Sequence, residues 1–242
     1  MDPPPQQPNF ETTQWNLVAS SNTDQVSQIT ARLALEELCR TYWYPLYAFV
    51  RSRGHSSNDA QDLTQAFFAK IIETNGLASA DASRGRFRSY ILGAMKHFLS
   101  HDLERKQALK RGGGKRIVEF DALDPEARYA VEPQTSDDLD ATFNRQWAEQ
   151  ITASAIGVLR REMDASGKSN LFDALKEGLT GGDFDRTQVA AALGMTDGAV
   201  KVAIHRLRTR YRAILRSTIE QTVADESEVE DEMRELIKAL TH

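Results

Sequence analysis

The chain has one cysteine, Cys39, in 242 residues. That excludes an internal disulfide framework and a multi-cysteine zinc site, and it fits a reducing compartment, so a cytoplasmic protein is expected. No run of about 18 apolar residues occurs, and no membrane insertion is expected. The opening MDPPPQQPNF lacks the basic flank and apolar stretch of a signal peptide. Strand-like alternation never extends beyond a few residues, and no internal repeat is present. Prolines and glycines, 7 and 14 of them, are too few for a collagen-like or low-complexity chain. What remains is helical periodicity in a chain that is 40% hydrophobic, enough to bury a sizeable core.

Net charge is −5, which taken alone argues against a nucleic-acid partner. The charges, however, come in blocks. Arg84 to Arg116 holds ten Lys/Arg against two acids, a balance of +8. Glu119 to Glu149 has nine acids and two arginines, a balance of −7. Lys201 to Arg216 carries six Lys/Arg and no acid, and Glu220 to Glu235 carries eight acids and one arginine. Local blocks of this kind, more than the net charge, decide whether a polyanion binds.

The periodicity predicts an all-α chain: two helical domains joined by a flexible acidic linker. A disordered tail covers 1–11 and a first helical domain 12–111. The linker covers 112–138, a second helical domain 139–219, and an acidic amphipathic helix lies within 220–242. The first domain should hold a short helix near Trp15–Ala19 and a long one over 30–53, kinked or broken at Pro45. A helix capped by Ser56 and Asp59 runs to about Glu73, and another spans 86–110. The second domain should hold helices over 139–163, 169–179, 186–194 and 197–219. A last helix, 227–240, should start on a Ser227/Glu230 capping box.

Arg186–His205, RTQVAAALGMTDGAVKVAIH, has the spacing of a helix-turn-helix. Ala190 is small enough for two crossing helices to approach, and Gly194 falls where the turn needs a positive φ. Val189, Leu193, Met195, Val200 and Ala203 occupy the positions to be buried between the helices. Asp197 is placed to cap the second one. On a wheel of about 3.6 residues per turn, Val200, Ala203, Ile204, Leu207, Tyr211 and Ile214 share one face. Lys201, His205, Arg208 and Arg212 fall within about 60° of one another away from it. A basic stripe without acids suits the major groove, where phosphates flank readable base edges. Lys201, Val202 and His205 are expected to reach bases, and Arg206, Arg208 and Arg212 to grip phosphates. Thr187 and Thr196 complete the DNA-facing set.

With this motif in place the sequence resembles an extracytoplasmic-function sigma factor of the minimal two-domain class. Three stretches in order carry the resemblance: GHSSNDAQDLTQAFFAKII (54–72), FRSYILGAMKHFLSHDLERKQALKR (87–111) and TQVAAALGMTDGAVKVAIHRLRTRYRAIL (187–215). With the helix 30–53 they cover about three quarters of the chain. The resemblance implies a promoter-specificity subunit without catalysis or cofactor. Its partners would be core RNA polymerase, through the β′ clamp helices and the β flap, and promoter DNA. An anti-sigma factor commonly holds family members.

By the same resemblance Asp59, Gln61, Asp62 and Gln65, outside the apolar stripe of their helix, dock on polymerase. Arg84, Arg86, Arg88, Lys96, His97, Lys106 and Lys110 face the melted −10 element, and the 187–215 motif reads the −35 element. Melting unstacks bases at a few kcal/mol per step, which aromatic platforms and cations offset. Phe87 and Phe98 read as core, so the loop 77–86 is the better pocket for a flipped base. The family often has Ser-Arg where Val202-Ala203 stand, and an arginine-asparagine pair near Lys96-His97. The C-terminal helix lies beyond the family's usual end.

Other signals are weaker. His97 and His101, one helical turn apart and followed by Asp102, lack a third ligand nearby in sequence, so no metal site is expected. Gly112-Gly113-Gly114-Lys115 lacks the spacing and hydroxyl of a phosphate-binding loop. Cys39 reads as a buried structural thiol. The competing readings are a stand-alone helix-turn-helix regulator, with residues 1–110 for sensing or dimerisation, and an enzyme built on the 97–102 dyad.

Overall fold

The computed structural model describes residues 25–73, 86–108, 125–131, 138–179 and 185–241. Every regular element among them is helical. In order these are α1 (Gln25–Ser52), α2 (Ser57–Glu73), α3 (Phe87–Ala108), α4 (Pro125–Val131), α5 (Leu139–Ala165) and α6 (Ser169–Leu175). A 3-10 turn, Lys176–Leu179, follows α6. Then come α7 (Arg186–Leu193), α8 (Asp197–Glu220), a 3-10 turn Glu226–Glu228, and α9 (Val229–Thr241). The expected short helix near Trp15–Ala19 lies outside the described residues, as does the tail 1–11.

The chain divides into two compact units: Met1–Ala148 with Glu220–His242, and Glu149–Ile219. The division falls inside α5 and inside α8, not in the 112–138 stretch where the sequence put its linker. Residues 220–241, which follow the second domain in sequence, belong to the first unit. The reason is burial. Val223 and Val229 are fully buried, Leu236 nearly so, and the amide of Phe87 donates to the carbonyl of Thr222 at 3.0 Å.

In the first unit α1 packs on α2, α3 and α4, and α2 packs on α3. Leu38, Cys39, Tyr42, Leu46 and Phe49 of α1 are buried, and they meet a core built from Phe67, Phe68, Phe87, Ile91, Met95 and Phe143. The Tyr42 ring lies edge-on to Phe87 at 5.0 Å and stacks on Phe143 at 6.5 Å. Cys39 is buried as expected, and burial pushes its thiol well above the ordinary value. That holds it in the unreactive neutral form.

Of the kink or break expected at Pro45, no break occurs: the helix runs through it to Ser52. A mid-helix proline costs about 3 kcal/mol. Full burial of one large apolar side chain returns about 2 kcal/mol. Tyr42, Leu46, Tyr47 and Phe49 around Pro45 are all fully buried, so packing outweighs the defect.

The acidic stretch is not wholly a flexible strap either. Its residues 125–131 form α4, which docks on α1. Nε and Nη2 of Arg51 donate to the two oxygens of the Glu126 carboxylate, at 3.0 and 2.7 Å, and the Tyr47 hydroxyl donates to it at 2.5 Å. Arg128 covers the Tyr44 ring at 3.7 Å. Pro125 gave the signal, since proline suits the first turn of a helix.

The second unit is built around Ile151, Ala155 and Leu159 of α5, Phe172 and Leu175 of α6, and the buried face of α8. Leu179 of the 3-10 turn joins this core. That face is Val200, Ile204, Leu207, Tyr211, Ile214, Leu215 and Ile219. Arg210 of α8 grips Glu162 of α5 through two hydrogen bonds, 2.8 and 2.6 Å. Within this unit α6 packs on α7.

Candidate nucleic-acid interface

The turn between α7 and α8 sets the second unit's exposed surface. Asp185 caps α7, its carboxylate accepting from the amides of Thr187 (2.9 Å) and Gln188 (3.2 Å). At the other end Gly194 sits at φ +63, ψ 31, in the left-handed region. Its amide donates to Ala191, and the amide of Met195 reaches back to Ala190 at 2.9 Å. This is a Schellman closure. A Cβ added at Gly194 would meet nothing within 4 Å, so glycine is needed for its backbone freedom and not for space. Ala190 is buried, as its size predicts, whereas Val189, Leu193, Met195 and Ala203 are only half-buried. The cap of α8 is Thr196, whose hydroxyl accepts from the Ala199 amide at 3.2 Å. Asp197, expected in that role, is instead the first helical residue, 3.9 Å from Arg186.

From this turn α8 presents Lys201, Val202, His205, Arg206 and Arg212 to solvent, with Val202 half exposed. Thr187 and Thr196 are exposed beside them. The side chains of Lys201, His205, Arg206 and Arg212 make no ion pair among the described residues. Arg208 behaves differently. Its guanidinium donates twice to the Gly178 carbonyl, at 2.8 and 2.6 Å, tying α8 to the 3-10 turn. The wheel explains this: of the four stripe residues Arg208 stands nearest the buried face. It is half-buried and braces the stripe, a contact that its expected place among the phosphate-gripping residues did not include.

Three described cations of the first unit's basic set, Arg86, Arg88 and Lys96, are paired with carboxylates. Arg88 is buried, with its Nε and Nη2 on the two oxygens of Glu232, at 2.7 and 2.9 Å. Its Nη1 donates to Asn144, and its guanidinium lies over the Trp147 ring at 4.4 Å. Burial disfavours the Arg88 cation, but the Glu232 hydrogen bonds and charge outweigh it, and its pKa ends above the ordinary arginine value. Arg86 shares the same carboxylate at 2.9 Å. Lys96, half exposed, pairs with Asp140 at 2.6 Å. His97 is exposed, its Nε2 3.2 Å from that of His101. Arg84, Lys110 and most of the loop 77–86 lie outside the described residues, as does the side chain of Lys106. Phe87 is core as expected, and Phe98 is half-buried, edge-on to Phe67 at 5.6 Å.

Arg86 and Arg88 were expected to face DNA, and in this structure they face Glu232. Sequence reasoning missed that carboxylate, along with Asp140 and the Arg51–Glu126 pair. The signal was available, because a +8 block and a −7 block in one chain can satisfy each other. On α2, Asp59, Gln61 and Asp62 are exposed and Gln65 is half-buried. Ser56 caps that helix as predicted, accepting from the Asp59 amide and donating to its carboxylate.

No protein-family model, no curated protein and no solved structure matches the chain. Among the described residues, no helix is long and apolar enough to cross a membrane.

Proposed function

We propose that the chain is a sigma factor: a subunit that binds core RNA polymerase, directs it to promoters and assists melting, without catalysis of its own. The observation that carries this reading is the exposed, acid-free stripe of Lys201, His205 and Arg212 on α8, with Arg206 also exposed on the same helix. A left-handed glycine turn presents it, and a buried apolar face braces it from behind. A rigid helix whose cations make no ion pair among the described residues suits major-groove insertion. Lys201, Val202 and His205 would approach base edges in the −35 element, while Arg206 and Arg212 hold phosphates. Val202 offers no hydrogen bond, so thymine methyl contact and DNA shape would contribute to readout there. Asp59, Gln61 and Asp62 supply an exposed polar face on α2 for the β′ clamp helices. The cations of α3 and the loop before it would serve the −10 element.

The test is transcription with purified core polymerase on a promoter library. Promoter-dependent transcripts and a stable complex with core support the reading, and the absence of both rejects it. A second reading, a stand-alone regulator using the same α7–α8 surface, draws support from the burial of Arg88, which leaves the first unit less free cationic surface. Binding of a palindromic operator by a dimer, without polymerase, would favour it.

A further inference from the structure

The N-terminal end of α3 is closed by residues more than a hundred positions later in the chain. Glu232 is fully buried and bridges two guanidiniums: Oε1 and Oε2 accept from Arg88, and Oε2 also accepts from Arg86. Asp231 lies 3.5 Å from Arg86. The first helical amide, that of Phe87, is satisfied by the carbonyl of Thr222. Together these contacts reproduce the chemistry that holds a phosphate, with bidentate guanidinium donors beside a helix N-terminus.

The ionic character of the contact is informative. Burying a carboxylate with its partners costs several kcal/mol per ion, and a well-packed apolar residue often does as well or better. A segment needed only to fill the groove would not require Glu232. The seat covers only one face of the helix. Val229 and Leu236 are buried, but Ile237 and Leu240 of the same helix are 56% and 45% exposed. A helix of 13 residues is marginal when isolated, so α9 owes its form to this seat.

We propose that residues 222–241 are an intramolecular competitor for nucleic acid: Glu232 and Asp231 occupy Arg86 and Arg88 as strand phosphates would, and the segment lifts when DNA takes their place. The proposal rests on the reading of α3 as a DNA-facing helix. It deepens that reading by making the first unit self-inhibited.

The experiment uses the full chain, its Glu232→Gln variant and a fluorescein-labelled single strand of about 20 mixed-sequence nucleotides, longer than ordinary single-strand sites. Glutamine keeps the shape and the acceptor oxygen while removing the charge. The expected result is affinity tighter by about fivefold with a similar log–log salt slope, because both chains end with the same two phosphate contacts. Equal or weaker binding overturns the proposal. Hydrogen exchange on the unmodified chain guards against a misfolded variant. Saturating DNA should deprotect residues 229–241, and persistent protection in the bound state overturns the proposal. Capture by core polymerase separates the two ideas. Capture with unchanged DNA affinity removes the competitor and leaves the sigma reading. Tighter DNA binding without capture rejects the sigma reading alone.

Discussion

Arg88 and Glu232 are 144 positions apart in the chain and 2.7 Å apart in space. Each is buried, and each is the other's principal neutralising charge. Removing one partner of such a pair costs about 3–5 kcal/mol, because the other charge is stranded. Arg88→Met should therefore lower the denaturant midpoint steeply. The double variant Arg88→Met with Glu232→Leu should recover most of the loss. Urea titration with an unchanged m-value checks this, and a double variant no better than the single one would contradict it.

Gly194→Ala should destabilise the second unit by about 1–2 kcal/mol, since an L-residue pays that much in the left-handed region. Nothing lies within 4 Å of the added methyl, so no steric cost adds to it. A melting temperature lower by several degrees is the expected reading, and an unchanged one would mean that the turn rearranges.

Thr196→Ala should cost about 1 kcal/mol through loss of the α8 cap. Asp197→Ala should cost less than half as much, because Asp197 sits inside the helix near only a distant arginine. Thermal denaturation of the two variants side by side decides which residue is the cap.

Among the stripe residues, Lys201→Ala and Arg212→Ala should each reduce the salt slope of duplex binding by about 0.9. Arg208→Ala should act mainly on stability by releasing the Gly178 carbonyl, with a smaller change in slope. Equal slopes for all three variants would place Arg208 on DNA after all.

The α4 contact should be acid-labile. The hydrogen bonds from Arg51 and Tyr47 hold the Glu126 carboxyl below its ordinary value. A depressed carboxylate stabilises the folded form fully above its unfolded value, and that stability is lost as pH falls through the folded one. Residues 125–131 should therefore lose exchange protection below the ordinary glutamate range. Glu126→Gln should abolish that pH dependence, and the same acid response in the variant would assign it elsewhere.

The helices were legible from period and caps: Ser56, Gly194 and the apolar face of α8 each behave as their chemistry dictates. That α1 continues through Pro45 was not legible, because local propensity cannot see the four buried side chains around it. Asp197 misled because the adjacent Thr196 is an equally good cap, and one residue of register decides between them. The larger miss was the fate of Arg86 and Arg88. Composition shows that Arg86 and Arg88 are cations, but not that Glu232 returns from the far end of the chain to meet them. Long-range pairing leaves no local signature, whereas the α8 stripe, defined by one helix's own periodicity, was readable directly.

The interleaved layout also sets an order of assembly. Residues 149–219 emerge from the ribosome before the segment that seals the first unit, so that unit must wait, incompletely covered, while an entire second core is being translated. Such late, non-local closure is slow and exposes apolar surface to aggregation. During biosynthesis the nascent chain would carry bare guanidiniums beside polysomal RNA, a polyanion with every opportunity to reach them first.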